Sequence, residues 1–215
     1  MSKIYDLMKN RRSAKRYDTS FKIKEDQLKE LLEVVRYSPS SYGMEAYKVY
    51  CIVNEKIKEE LFHAWHNQPA TKEASALFIW TVFKEDYMRK IHMPKQISEI
   101  IDPTSDKAEP YIRNGIEHFL KSQNVSMQQW LERQVYISLG AVVIAVEDMS
   151  LDCCPVEGFS RLETDRILEK YMIINSEIET STVCLFLGKI DKNKKNHYSY
   201  KRYKKSSEEA YEIIE

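Results

Sequence analysis

The chain has 215 residues, 43% hydrophobic and 31% charged, enough for one packed domain with or without an appendage. Its 33 Lys and Arg balance 33 Asp and Glu, so the formal net charge is zero. That balance excludes a whole-molecule attraction to nucleic acid or to an anionic membrane; a partner has to be recognised locally.

The opening stretch MSKIYDLMKNRR has no apolar run of the secretory kind and reads as a short helix ending near Asn10. Directly after it, Arg11, Arg12, Lys15 and Arg16 crowd around Ser13 in NRRSAKRYD. Two readings stand. Cations at a helix C-terminus complement the macrodipole, or the group is an anion clamp; on its own the stretch favours the first. Leu28, Leu31, Leu32 and Val35 then fall at i, i+3, i+4 and i+7 and predict an amphipathic helix, closed before Pro39. AYKVYCIV reads as a strand, KIKEELFHAW as a helix, and SALFIWTVF (Ser75 to Phe83) as a strand buried on both faces.

From about 84 to 125 the chain is charged and helical in tone, broken by Pro94, Pro103 and Pro110, and is expected to leave the core as an excursion. Ser126 and Gln129 fit a capping box opening a helix to about Met149. Its second half is apolar all round, which predicts burial against a sheet or a partner subunit. The run Val135–Val146 is too short to span a bilayer. LDCCPVEGF follows as a short strand or loop, SRLETDRILEKY as a helix, and TSTVCLFLG, ending at Gly188, as a last buried strand. The tail, about 189–215, is basic and then acidic and reads as a solvated arm. The order of elements gives an α+β architecture in a single domain spanning 1–215.

Most familiar chemistries find no support. Five glycines form neither a dinucleotide fingerprint nor a P-loop. Cys51, Cys153, Cys154 and Cys184 include no CxxC pair and read as reduced thiols of a cytoplasmic protein, Cys153 and Cys154 as small core residues. His63 and His66 lack a third zinc ligand and read as surface or interface histidines, so no metal site is expected. No nucleophile elbow supports a serine triad.

Three stretches remain: RRSAKRY, SPSSYGMEAYKVY and PVEGF (Pro155 to Phe159). In this order, with Gln134 on an apolar helix between the second and third, the chain from Ile4 to about Arg202 resembles the nitroreductase family of FMN-dependent oxidoreductases. The resemblance implies a mostly antiparallel sheet flanked by helices in an intertwined homodimer, with two FMN sites at the interface. It implies that Arg11 and Arg12 contact the FMN phosphate and flavin edge, that Ser13 hydrogen-bonds the phosphate or the neighbouring flavin, and that Lys15 lies near the pyrimidine end of the ring. Pro39, Ser40 and Ser41 would sit beside the other subunit's flavin. Tyr42 and Phe119 would line the substrate pocket; Glu45 either bonds a flavin or ribityl hydroxyl or stands exposed. Asn67 would bond the pyrimidine edge, while Ala70 stands where some relatives carry a lysine. Gln134 would lie near the phosphate and ribityl arm. Pro155, Val156, Glu157 and Gly158 would cover the flavin face, with Glu157 and the Gly158 N–H near N5 and no side-chain acid or base. Arg202 would close the phosphate site; Tyr200 takes the place of its usual companion lysine, with Lys201 or Lys204 as substitutes.

The function so implied takes hydride from NAD(P)H onto flavin N5. Electrons then pass to a small nitroaromatic, quinone or pterin-like acceptor by a ping-pong route, with no nucleic-acid or membrane partner. The alternatives are dehalogenation or dehydrogenation on the same fold, or a flavin-binding protein with little turnover.

Overall fold

Four strands, β1 (Tyr47–Ile52), β2 (Ala76–Phe83), β3 (Asp152–Val156) and β4 (Glu179–Gly188), form one sheet in the order β1-β2-β4-β3 with every neighbour antiparallel. They belong to a computed structural model describing residues 2–101, 108–198 and 200–214. β2 is central and buried along its whole length, as its unbroken apolar run requires. Its side chains alternate between two cores. Phe78, Trp80 and Val82 join Val183, Leu185 and Leu187 of β4 on one face; Leu77 and Ile79 join Cys184 and Phe186 on the other. The register against β4 shifts between Trp80 and Thr81, where Thr182 of β4 is the extra residue, and Phe83 at the end of β2 joins the same core as Val82.

The first face is covered by α2 (Glu25–Arg36), through Leu31 and Val35, and by α8 (Met127–Asp148), through Leu131, Val135, Leu139 and Val142. The expected capping box opens α8: Ser126 Oγ accepts from the Gln129 N–H at 3.1 Å, and Gln129 Oε1 accepts from the Ser126 N–H at 3.0 Å. Trp80 Nε1 donates to Ser138 Oγ at 2.9 Å and locks the helix to the sheet. Among the described residues, only one side of α8 is fully covered. On the other side Tyr136, Ile137 and Gly140 are exposed and Ala141 and Ile144 half-buried. The second face carries α3 (Glu55–Ala64), capped by Asn54 Oδ1, the one-turn α4 (Ala70–Glu73), and α9 (Arg161–Lys170), which starts on the Ser160 hydroxyl.

Between β2 and α8 lie α5 (Glu85–Tyr87), a wide turn at Met88–His92, α6 (Met93–Ile100) and α7 (Ala108–Ser122). Pro94 and Pro110 open helices rather than break them, because the first-turn N–H groups have no helical partner to lose. Pro103 lies outside the described residues. Met93, Ile97, Ile116 and Leu120 are buried in the α2–α8 core, so the excursion packs back onto the domain.

The chain begins with α1 (Lys3–Asn10), which ends where the sequence predicts, with Arg11 as C-cap. The tail differs from a free arm in its first half. Tyr17 pairs with Ile190, the Asp18 N–H donates to the Lys189 carbonyl (2.8 Å) and the Lys15 N–H to the His197 carbonyl (2.9 Å). From Tyr200 the arm is exposed and carries one short helix, α10 (Ser207–Ala210). Among the described residues no helix is long and apolar enough to cross a membrane.

Gly188 marks the junction. A Cβ there would meet Tyr17 Cδ1 at 2.8 Å and the Ser75 nitrogen at 3.3 Å, and Tyr17 is fully buried. Gly188→Ala is expected to destabilise the fold by about 1–3 kcal/mol through overpacking. Thermal unfolding measures this; an unchanged Tm would contradict the packing of Tyr17 on the end of β4.

Candidate active site

The segment after α1 is extended and threads between β3 and the tail. The Ala14 N–H donates to the Cys153 carbonyl (3.1 Å), and the Asp191 N–H to the Arg16 carbonyl (3.1 Å). The segment's four cations part company. Arg16 is held in a forked pair with Glu73 at 2.6–3.0 Å. Glu73 also accepts the Tyr17 N–H at 3.0 Å and lies 3.3 Å from Lys194 Nζ. Burial alone would raise the Glu73 pKa. The Arg16 bond, the Tyr17 N–H and the charges of Arg16 and Lys194 outweigh it and hold the pKa below the usual value. Arg16 is therefore an anchor, and three of the four cations are left to face outward together.

Those three, Arg11, Arg12 and Lys15, line a cavity of about 480 Å³ with Ser13, Arg202 and Lys204. Met8, Tyr198, Tyr200 and Tyr203 also line it, and among the described residues no carboxylate does. Arg11 Nη1 donates to Ser13 Oγ at 3.3 Å. The Arg12 guanidinium stacks 4.0 Å from the centre of the Tyr198 ring and donates to the Tyr200 carbonyl at 2.5 Å. Arg202 Nη2 donates to the Met8 carbonyl at 3.2 Å. Of the residues near the site of the companion lysine, Tyr200 supplies a carbonyl and Lys204 the charge.

Lys15 ties the cavity to the end of β3, with its Nζ 3.1 Å from Cys154 Sγ. Beyond Cys154 the strand carries Pro155 and Val156 opposite Leu185 and Cys184, then releases Glu157 and Gly158 into a loop. Glu157 is exposed, and its Oε1 accepts from the Tyr136 hydroxyl at 2.5 Å. Burial, and then the bond to Glu157, push the Tyr136 pKa up to about 12, so the phenol remains the proton donor throughout the neutral range. The Gly158 carbonyl accepts from Gln68 Nε2 at 2.9 Å.

Other candidate residues gather elsewhere. Ser40 Oγ accepts the Glu45 N–H at 2.9 Å, and the Ser41 N–H donates to Gln134 Oε1 at 2.8 Å. Gln134 is buried, and its amide also donates to the Trp130 carbonyl (3.1 Å), so its first partners are structural. Tyr42 packs against Gly115 of α7, one helical turn from Phe119, which rests on the α2–α8 core. Pro39, Ser40, Ser41, Tyr42 and Phe119 do not line the cationic cavity. Glu45 is exposed at φ 44°. Asn67 also stays off the cavity; its Oδ1 lies 2.9 Å from His63 Nδ1, and its neighbour Gln68 reaches the loop instead. Among the described residues no group of three His, Cys, Asp or Glu is placed to hold a metal ion. Cys153 is buried, which pushes its thiol pKa up, consistent with a core residue.

Sequence reasoning missed Tyr136, Gln68 and Tyr198. The first two stand one or two positions from Gln134 and Asn67, close enough to notice; Tyr198 lies in a polar tail with no pattern to expose it.

The fold is an antiparallel α+β domain carrying a cavity lined by cations, a donor set that suits an anionic group. The family model of the Nitroreductase family matches residues 8–189, and the chain belongs to that family. YfkO of Bacillus subtilis, which bears an NAD(P)H nitroreductase name, is 27% identical over 195 residues, 86% of this chain and 88% of YfkO. A nitroreductase-like protein from Streptococcus mutans superposes with a TM-score of 0.76 at 22% identity, covering 98% of each chain. A protein from Exiguobacterium sibiricum, solved in complex with FMN, does so with a TM-score of 0.73 at 19% identity, covering 100% of this chain and 98% of its own.

The Arg16–Glu73 anchor has a pH signature. Glu73 has a lowered pKa in the fold, so its stabilisation is fully present above its unfolded value of about 4.5 and is lost as pH falls through the lower folded value. Glu73→Gln is expected to unfold more easily by about 1–3 kcal/mol at pH 7. Denaturant titrations should show the gap between the two proteins closing only under acid conditions; a constant gap across pH would contradict an ionic anchor.

Proposed function

We propose that the chain is an FMN-dependent NAD(P)H oxidoreductase, acting as a cytoplasmic homodimer on small electron acceptors of the nitroaromatic, quinone or pterin type. The observation that carries this reading is the cationic cavity: three guanidinium groups, two ammonium groups and the Ser13 hydroxyl line it, with no carboxylate lining it among the described residues. That donor set fits the phosphate of FMN, since guanidinium forks match phosphate oxygens in geometry and charge. FMN binding by the E. sibiricum relative and the NAD(P)H name of YfkO support the same assignment.

Bound FMN supplies a hydride acceptor and donor at N5. The chain's part is to hold and orient. Arg11, Arg12 and Arg202 would grip the phosphate, with Arg12 already braced on Tyr198. Lys15, between the cavity and the end of β3, would put its charge beside the pyrimidine end of the ring and favour an anionic reduced form. Pro155–Gly158 would cover the ring face and admit nicotinamide and acceptor in turn, so the two share one place and ping-pong kinetics follow. No side chain has to act as an acid or base in hydride transfer; positioning carries the rate.

Two features support the homodimer. The outward face of α8, with Ile137, Gly140, Ala141 and Ile144, is apolar and partly open in the single chain. The Pro39–Tyr42 loop, which the family resemblance sets beside a flavin, lies off this chain's own cavity and would complete the site of a second copy.

Purified protein is expected to show flavin absorption bands that bleach anaerobically with NADH or NADPH and return with a nitroaromatic or quinone. Bands that do not bleach would leave a binding protein or another chemistry on the same fold; no bands after incubation with FMN would overturn the reading. Arg12→Ala removes one charged hydrogen-bonding group worth about 1.5–3 kcal/mol. FMN affinity should then fall roughly tenfold to a hundredfold in a fluorescence titration.

A further inference from the structure

Gly158 is a glycine that nothing among the described residues demands. A Cβ there would meet no atom within 4 Å, and its backbone is not left-handed. Among the described residues its N–H has no protein acceptor. Yet the peptide groups around it are held from three directions. The Phe159 N–H closes a tight turn onto the Glu157 carbonyl at 2.9 Å. The Tyr136 hydroxyl, from α8, holds the Glu157 carboxylate at 2.5 Å. Gln68 Nε2, from the turn between α3 and α4, holds the Gly158 carbonyl at 2.9 Å. The turn presenting Gln68 places two consecutive non-glycine residues, His66 and Asn67, at φ 54°. Each left-handed residue of this kind costs energy and persists only where its surroundings over-determine it.

We propose that Gln68 and Tyr136 are positioning residues that lock the Glu157–Gly158 turn from opposite sides, so that the Gly158 N–H is a preformed donor toward the ring of the bound flavin. The proposal rests on the FMN reading above. A donor aimed in advance needs no reorganisation at the moment of hydride transfer, and open space at Gly158 lets a planar ring approach the backbone. The two residues act through the loop and touch neither phosphate nor cavity wall. Their removal should therefore spare FMN affinity and affect what the ring feels.

The test compares wild type with Gln68→Leu, Gln68→Glu and Tyr136→Phe. Gln68→Glu matters most, because a carboxylate keeps the shape of the amide but has no N–H to give the Gly158 carbonyl. Two readouts are taken: the FMN dissociation constant by fluorescence, and exchange of the Gly158 amide, resolved by NMR, with and without FMN. In wild type, FMN should slow Gly158 exchange. In each variant that slowing should shrink by about tenfold, the value of one lost hydrogen bond, while affinity stays within about threefold. Anaerobic bleaching by NAD(P)H should slow in parallel. Full FMN-dependent protection in Gln68→Glu and Tyr136→Phe would overturn the positioning role while leaving the flavin reading intact. Failure of wild type to bind FMN would overturn both.

Discussion

The site depends on Glu73. Its carboxylate collects Arg16, the Tyr17 N–H and Lys194, and so ties the segment after α1 to α4 and to the returning tail at one point. Cations that converge on a cavity repel each other; two unit charges 4 Å apart cost about 1 kcal/mol in water and about 4 kcal/mol near a protein surface. Something has to hold Arg11, Arg12 and Lys15 on one side against that repulsion. The extended backbone is pinned for this by Glu73 through Arg16 and the Tyr17 N–H, by the Cys153 carbonyl on one edge and by the His197 carbonyl on the other. Tyr17, buried on Gly188, carries the same constraint into the sheet.

α8 is the second support, and it serves two loops at once. Gln134 holds the Ser41 backbone and Tyr136, two residues on, holds Glu157. Trp80 to Ser138 fixes the helix against β2, so both loops are referenced to the most buried strand in the chain. Such a layout suits a reaction in which the protein supplies position and field rather than a nucleophile or a base, because rigid elements place small groups more accurately than free loops do. The outward face of α8 remains apolar, which is why the same helix also carries the argument for a second copy.

Much of the fold was legible in the sequence because its signals are local. The apolar run of β2, the 3.6-residue period of α2 and the Ser126–Gln129 box each needed only a short window, and each element stands where its pattern put it. The excursion is helical and in pieces, as its prolines indicated, with Pro94 and Pro110 in first helical turns. The tail misled. Its basic composition reads as solvated, but its first half is held by backbone hydrogen bonds to residues 15–18, and backbone bonds leave no trace in composition.

The candidate site shows the same division. The stretches RRSAKRY, SPSSYGMEAYKVY and PVEGF were visible as residue types in order, and with Gln134 they carried the resemblance to a family that the chain does belong to. By itself the sequence determined which elements form and which cations were available. Only the tertiary structure decided that Arg16 turns away to Glu73, that Lys204 rather than Lys201 lines the cavity, and that Gln68 reaches Gly158. The physical reason is that side-chain period and hydrophobic pattern are set within a few residues, whereas the partner of a charge or an amide is set by which distant segment the packed core brings within 3 Å.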